Sequence, residues 1–578
     1  MNILIDKVKI MNFRALRNVE VHLSKMILLV GANNAGKTSF LRALNSTLGG
    51  GAVNKDDLFV DKDGVSPSNE IIIDVRIIPT DESGERQNEF ETSWLSVFGE
   101  QIQSENGNQD FFAFRTKYSF DNQKDIPKKE MFFISQWGID PVEGDKLTSK
   151  FFENIILYFM DAQRDLQLDL KSRASYFSKL ATQIEYNSTD LEDIEEKIQT
   201  LNEKAVSSSL VLKHLKTELK NLNDTTQTTG NGVEINPFPK RVRDLHKGMK
   251  VNFQDNGSDT FGLEYHGMGT RSWASILSFQ AFIGWESELA EEKYNPYYPV
   301  LALEEPEAHL HPNAQRTLYL QLSKITGQKI ISTHSPYITG QAQLEEVRHF
   351  YKAVDEVEVS QIDLSSLGSK ELNSIRLGIY ASRGDVFFSK KIVLFEGETE
   401  EFSLPLFAEK HFGTSPSALN IDFIKAGNNY HLLHLVKFLK TSWFIFSDYD
   451  NPTVEANLQS VLNKCGFGND PNSLDNVFTL GNDFETYLYD DGYEAELKST
   501  LKEIKEPVYH NEPHRIAKEA EVAQENQRIE DLSRDSFLSE LKDFKTKASF
   551  IYTRKILERT DGTHIPTKVK QLFETISR

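Results

Sequence analysis

Apolar residues in this chain come in short runs that end at glycine or acid. Ile27-Leu28-Leu29-Val30 runs straight into Gly31. An unbroken run of that length predicts a strand buried on both faces. Residues 3–30 read as two strands around a turn, with that run at their end. From Thr38 to Leu48 the apolar positions Phe40, Leu41 and Leu44 step with helical spacing. Glu70 to Ile78 predicts a further strand. Strand and helix alternate from Tyr298 to Pro336, Val347 to Asp363 reads as a peripheral strand pair, and Ser365 to Phe388 as mostly helical. The runs Lys391–Phe395 and Ser442–Phe446 belong to a second α/β unit, with a boundary near residue 385.

Residues 189–222 follow another rhythm. Leu191, Ile194, Ile198, Leu201 and Ala205 step by three and four, and Leu212, Leu215, Leu219 and Leu222 resume the step after a serine break. This heptad-like seam is too short for a rod and fits a packed helical pair or a dimer contact. Residues 492–546 are charged and helical, with no chemistry of their own.

At about 150 residues per domain, 578 residues suggest about four domains. No apolar run is long enough to span a bilayer, and the first residues lack a signal-peptide pattern, so the expected setting is cytoplasmic, without a membrane partner. The single cysteine, Cys465, excludes an internal disulfide framework and a Cys-rich zinc site. The net charge of −21 argues against a DNA-coating role. It leaves room for local contact with DNA, and Lys240 to Lys250 is a short basic stretch.

Gly31-Ala32-Asn33-Asn34-Ala35-Gly36-Lys37-Thr38 fits the pattern G-x-x-x-x-G-K-[ST] between a strand and a helix. Backbone N–H groups of such a loop cradle phosphates at a helix N-terminus. Asn33, Asn34, Gly36, Lys37, Thr38 and Ser39 are the candidate ATP contacts, Lys37 at the β/γ-phosphates and Thr38 at Mg²⁺. The run Pro299–Leu303 ends in Glu304 and Glu305. Glu304 is placed to help hold the ion and Glu305 to polarise a water. A third run ends in Ser332-Thr333-His334, which puts His334 near a γ-phosphate.

The second α/β unit is acidic at its strand ends. Glu396 follows Lys391–Phe395, and Glu400 comes one helical turn later. Asp448 and Asp450 follow Ser442–Phe446. On an extended chain these alternate residues would point the same way. Asp483 and Glu485 repeat that spacing. Six carboxylates, Glu396, Glu400, Asp448, Asp450, Asp483 and Glu485, suit hard ions such as Mg²⁺ or Mn²⁺.

The first motif set resembles the ATPase heads of the ABC class found in RecF-type and SMC-type proteins. That resemblance implies a head dimer, each ATP being closed by a signature loop from the other subunit. His266–Ser272 is the best match, with Gly267 and Gly269 as its phosphate-facing glycines, though it departs from the usual Leu-Ser-Gly-Gly. The second set resembles a Toprim domain. No DNA-gate domain and no zinc module accompany it, which leaves phosphodiester hydrolysis rather than topoisomerase or primase chemistry.

Their order in one polypeptide resembles the OLD (overcoming lysogenization defect) family. The implied fold is α/β: an ABC-type ATPase head over residues 1–385 with a helical dimerisation insert at about 165–245, then a Toprim domain over 386–578 with helical additions at about 492–546. The implied activity is ATP-regulated, metal-dependent DNA cleavage in anti-phage defence. Glu396 would act catalytically with a late lysine, for which Lys547 is the best match and Lys545 the near alternative. The expected partners are DNA, a second copy or a larger homo-oligomer, and an accessory defence protein or nucleic-acid trigger. Two other readings stay open: a RecF-like repair ATPase with a non-catalytic Toprim scaffold, and a nuclease effector that waits for a partner's signal.

Overall fold

A computed structural model of the chain describes residues 3–578 apart from 106, 122–125, 139–140, 142, 163–187, 210–211, 214–236, 239–251, 254–260, 263–266, 354–355, 366 and 383. Most of the expected insert at 165–245, the basic stretch Lys240–Lys250, His266 and the seam residues Leu215, Leu219 and Leu222 lie outside the described residues.

Three sheets carry the architecture. The first is antiparallel and centred on Ile3–Phe13, which pairs with Leu16–His22 on one side and Glu70–Pro79 on the other. It continues through Gln109–Ser119, Lys128–Ile134 and Glu143–Lys146. Sequence reading found only its first members. The later strands mix apolar residues with charges that pair across the sheet: Arg115 grips the buried Asp74 through two bonds of 2.7 and 2.9 Å, which hides the alternation that would mark a strand.

The second sheet runs in the order Val357–Gln361, Val347–Lys352, Met26–Val30, Gln328–Ser332, Tyr298–Glu304, Ile155–Met160. All but Val357–Gln361 are parallel. The unbroken apolar run is explained by its two faces. Ile27 and Leu29 join the core shared with the first sheet and with Phe40, Leu41 and Leu44. Met26, Leu28 and Val30 point to the opposite core. Glu304 sits beside Ser332, and Ser332 beside Leu29. Parallel pairing thus brings the ends of all three motif-bearing strands to one edge, where ligands collect in open α/β sheets.

The third sheet is wholly parallel, in the order Ile421–Lys425, Lys391–Phe395, Ser442–Ser447, Val477–Thr479. One of its faces, with Ile392, Leu394 and Ile445, shares the core that holds Leu28 and Val30, through Ile375 and Ile379 of the junction helix Ser369–Ala381. The other face, with Val393, Phe395, Phe444 and Phe446, packs under the C-terminal helices.

Helices Glu494–Lys505, Glu512–Asp531 and Arg534–Lys542 occupy the charged 492–546 stretch. Ser188–Ser208 is helical. Its buried face carries Ile198, Asn202 and Val206, while Leu201 of the expected seam is 55% exposed. Asn202 exchanges two hydrogen bonds with the Phe238 backbone. No helix among the described residues is long and apolar enough to cross a membrane.

Candidate functional site

The nucleotide-type site grows from the end of Met26–Val30. Gly31 takes φ +138°, and a Cβ there would lie 2.1 Å from the Phe350 carbonyl oxygen, so only glycine lets the chain turn. Gly36, at φ +97°, stands immediately before the helix Lys37–Leu44. A cleft of about 640 Å³ opens over the loop, lined by Asn33–Ser39 together with Arg14, Glu305, Ser332 and His334.

Within it, Lys37 Nζ donates to the Gly31 and Ala32 carbonyls at 2.7 and 2.9 Å. Burial pulls its pKa down to about 8, against the pull of Glu305 and Glu307. Thr38 Oγ1 donates to Glu304 Oε1 at 2.5 Å, tying the loop to the acidic strand end. Glu305 takes a left-handed backbone, φ 43°, and its carboxylate lies 3.7 Å from His334 Nε2. Burial, and then Lys37, hold the His334 pKa below its usual value.

Sequence reading missed Glu307. It is buried, and it accepts from Thr333 Oγ1 at 2.8 Å and from His334 N at 2.7 Å. The Glu307 carboxylate therefore fixes the segment that presents His334. It lies three residues beyond Glu304, and that closeness to the acidic strand end was its one signal.

The second site lies at the ends of Lys391–Phe395 and Ser442–Ser447, which are adjacent and parallel. Glu396 is 8% exposed. Its Oε1 accepts from Tyr430 OH at 2.7 Å, from Asp448 N at 3.0 Å and from Ser447 Oγ. Glu400, buried on the first turn of helix Glu398–Phe412, lies so close to Gly397 that a Cβ there would meet its Oε2 at 2.7 Å. Glu485 is fully buried and accepts from Thr399 Oγ1 at 2.9 Å.

Burial raises the pKa of both Glu400 and Asp448, and their mutual closeness adds to the shift on Asp448. Asp448 Oδ1 and Glu485 Oε2 are buried without a hydrogen-bond partner. Orphaned buried oxygens and crowded carboxylates make a donor set that fits a hard divalent cation, which would supply the missing charge. Glu396, Glu400, Asp448 and Glu485 are the residues that could hold one.

A scan against family models matches the AAA ATPase domain over residues 4–339. The chain belongs to the AAA ATPase domain family. Residues 387–450 of this AAA ATPase match the overcoming lysogenization defect protein-like TOPRIM domain. The OLD nuclease of Thermus scotoductus is 24% identical over 423 residues, spanning 68% of this chain and 72% of that protein. The endonuclease GajA of Bacillus cereus is 22% identical over 415 residues, spanning 68% of this chain and 66% of that one. Among solved structures, the C-terminal region of the Xanthomonas campestris pv. campestris OLD protein is 20% identical, covers 33% of this chain and 94% of its own, and gives a TM-score of 0.26. The SMC head domain from Thermotoga maritima is 12% identical, covers 62% of this chain and 99% of its own, and gives a TM-score of 0.29. The chain is thus an ATPase joined to an OLD-like Toprim domain.

The structure gathers some of the candidate residues in this AAA ATPase and separates others. Glu396, Glu400, Asp448 and Glu485 come together. The extended-chain argument for Asp450 does not hold: the strand ends at Ser447, Tyr449 turns with φ 50°, and Asp450 is exposed, accepting from the Asn451 side chain at 2.7 Å. Asp483 and Glu485 are not on a strand either. Asp483 caps the helix Phe484–Leu488 and pairs with Lys542, whereas Glu485 turns inward from the first turn.

The two lysines also separate. Lys545 Nζ lies 3.8 Å from Glu485 Oε2. Burial lowers the Lys545 pKa, but attraction to Glu485, Asp448 and Glu400 carries it above the usual lysine value. Lys547 is exposed and interacts with Glu503. The helix Lys545–Leu557 turns these neighbours to different faces, so the alternative, Lys545, faces the carboxylates and Lys547 does not.

Gly267 stands at the N-terminus of the long helix Met268–Glu292, with Gly269 in its first turn against the His309 carbonyl. Neither is among the described residues that line the P-loop cleft. Tyr430 and Ser447, which anchor Glu396, carry no motif of their own and were not legible in the sequence.

Proposed function

We propose that the protein is a divalent-metal-dependent DNA endonuclease whose Toprim domain is controlled by ATP at the P-loop. One observation carries the reading: the buried Glu396, Glu400 and Glu485 and the half-buried Asp448, two of them with an oxygen that no hydrogen bond satisfies, converge with Lys545 at the ends of two adjacent parallel strands. Structural acids normally find hydrogen-bond partners when buried. The matched Toprim model and the similarity to the OLD nuclease and to GajA support the same reaction.

Bound there, Mg²⁺ or Mn²⁺ supplies Lewis acidity and a water of lowered pKa. The chain's own residues do the rest. Tyr430, Ser447 and the Asp448 amide lock Glu396 in one orientation. Lys545 offers a fixed positive charge to a phosphate oxygen as negative charge develops. Asp450, exposed at the rim, is a further candidate for metal or solvent contact.

In the ATPase domain, Asn33, Asn34, Gly36, Lys37, Thr38 and Ser39 bind the triphosphate. Glu304 holds Thr38 in place for Mg²⁺, and Glu305 beside His334 orients water. Gly267 and Gly269 fit the signature role in trans, because a helix N-terminus favours phosphate. On this reading the active assembly holds two copies. The shared core through Ile375 and Ile379 gives ATP-driven movement of the head a packed route to the Toprim sheet. We take the division near residue 385, a cytoplasmic setting and a role in defence against phage as parts of the same reading, the last resting only on the resemblance to the OLD family.

The test is supercoiled plasmid with Mg²⁺ or Mn²⁺, with and without ATP, beside Glu396→Gln and Lys37→Ala. The reading expects scission that Glu396→Gln abolishes and an ATP effect that Lys37→Ala abolishes. DNA binding without scission in either metal would overturn it in favour of a scaffold.

A further inference from the structure

A second group of ligand-type side chains lies where the ATPase and Toprim domains meet. Glu371 projects from the junction helix Ser369–Ala381, and His431 and His434 lie just before and within the Toprim helix Leu433–Phe438. Ligand atoms of all three lie within 4.8 Å of one another. Glu371 is 9% exposed and both histidines are half-buried.

The hydrogen bonding at this cluster is incomplete. His431 Nδ1 and His434 Nε2 are buried without a partner. A buried polar atom left unpaired costs ~1–3 kcal/mol, and two such nitrogens in one cluster point to a missing ligand. The other ring nitrogen of His434, Nδ1, lies 3.5 Å from Cys465 Sγ. Donation from Nδ1–H to that sulfur would leave the Nε2 lone pair free, as an outer partner does for a metal-ligating histidine. Glu371 Oε2 accepts from Gly368 N at 2.7 Å, and Oε1 pairs with Lys464.

We propose that Glu371, His431 and His434 bind one borderline-soft divalent cation of the zinc type, separate from the oxygen-rich Toprim site. Two imidazoles and one carboxylate form a zinc-type donor set with an open fourth position. Lys464 occupies the place of the cation at Glu371 and must yield on binding. The bound ion would clamp the ATPase junction helix to the loop that carries Tyr430, the residue next to His431 and a donor to Glu396. Ser374 already bridges the same junction through Asn429 at 3.2 Å. The inference does not depend on nuclease activity.

The experiment uses the full chain stripped with EDTA and titrated with Co²⁺, followed by visible absorption and then by Zn²⁺ competition. The expected result is one equivalent of Co²⁺ with the strong d–d bands of a low-coordinate nitrogen site, displaced by Zn²⁺. Affinity should fall by at least ~10-fold in His431→Ala and His434→Ala, since even loss of an outer partner costs that much. Glu396→Gln should keep the bands. Lys464→Met should strengthen binding, a gain that misfolding cannot mimic, and far-UV circular dichroism should be unchanged in every variant. Bands that persist in both histidine variants, bands lost in Glu396→Gln, or no bands in the unaltered chain would each overturn the proposal.

Discussion

Glu396→Ala and Glu396→Gln separate two jobs held by one side chain. A single carboxylate oxygen accepts from Tyr430 OH, Ser447 Oγ and the Asp448 amide. Alanine removes the acceptor and leaves three donors in a site only 8% exposed. Each unpaired buried donor costs ~1–3 kcal/mol, and water entering the vacated space recovers part of that, so the net loss should be about 3–4 kcal/mol. Glutamine keeps an oxygen in the same place and should cost no more than ~1 kcal/mol, yet it lacks the charge to hold a cation. Hydrogen exchange on peptides covering Lys391–Phe395 and Ser442–Ser447 in EDTA reads the local opening energy. Exchange there should quicken by roughly 10²–10³-fold in Glu396→Ala, at 1.4 kcal/mol per tenfold, and by less than about tenfold in Glu396→Gln. The reasoning is refuted if alanine exchanges like the unaltered chain, or if glutamine exchanges as fast as alanine.

Three further outcomes follow from the same geometry. Lys545→Ala should lower plasmid cleavage by ~10²-fold or more, while Lys547→Ala should stay within about threefold, read as initial rates at saturating Mn²⁺. Lys37→Ala and Thr38→Ala should each cut ATP turnover by ~10²-fold or more, measured by phosphate release. The pH dependence of stability has a definite sign. Glu400 and Asp448 have raised folded pKa values, so their contribution is complete below the ordinary carboxylate range near ~4 and is lost as pH rises through the raised values. In EDTA the thermal midpoint should fall between about pH 5 and about pH 8, and Asp448→Asn or added Mn²⁺ should flatten the slope. A midpoint that rises over that range would contradict the assignment.

What the sequence disclosed, and what it concealed, follow from how local each signal is. Ile27–Val30 reads as a strand because both its faces are buried, and parallel pairing does the rest. The expected helix from Thr38 to Leu48 appears as Lys37–Leu44 continued by a π-helical turn over Asn45–Gly49. The peripheral pair Val347–Asp363 appears as Val347–Lys352 and Val357–Gln361. Asp448 and Asp450 look equivalent in a string of residues, but one left-handed residue, Tyr449, turns the second to solvent. Asp483 and Glu485 share the same spacing, yet a helix starts between them and makes one a cap and the other a buried acid. Lys545 and Lys547 are two apart, and two residues on a helix point to different faces. Tyr430, Ser447 and Glu307 reach their sites through tertiary packing, and no local pattern encodes that. The junction cluster is the extreme case: Glu371 and His434 are sixty-three positions apart in sequence and meet only because two domains share a core.

The most direct test of the account is scission and ATP turnover measured on the same preparation of Glu396→Gln. With supercoiled plasmid and Mn²⁺, the variant should release phosphate from ATP at the rate of the unaltered chain and leave the plasmid intact. Undiminished cutting by the variant would contradict the claim that the buried carboxylates around Glu396 are where the phosphodiester is broken.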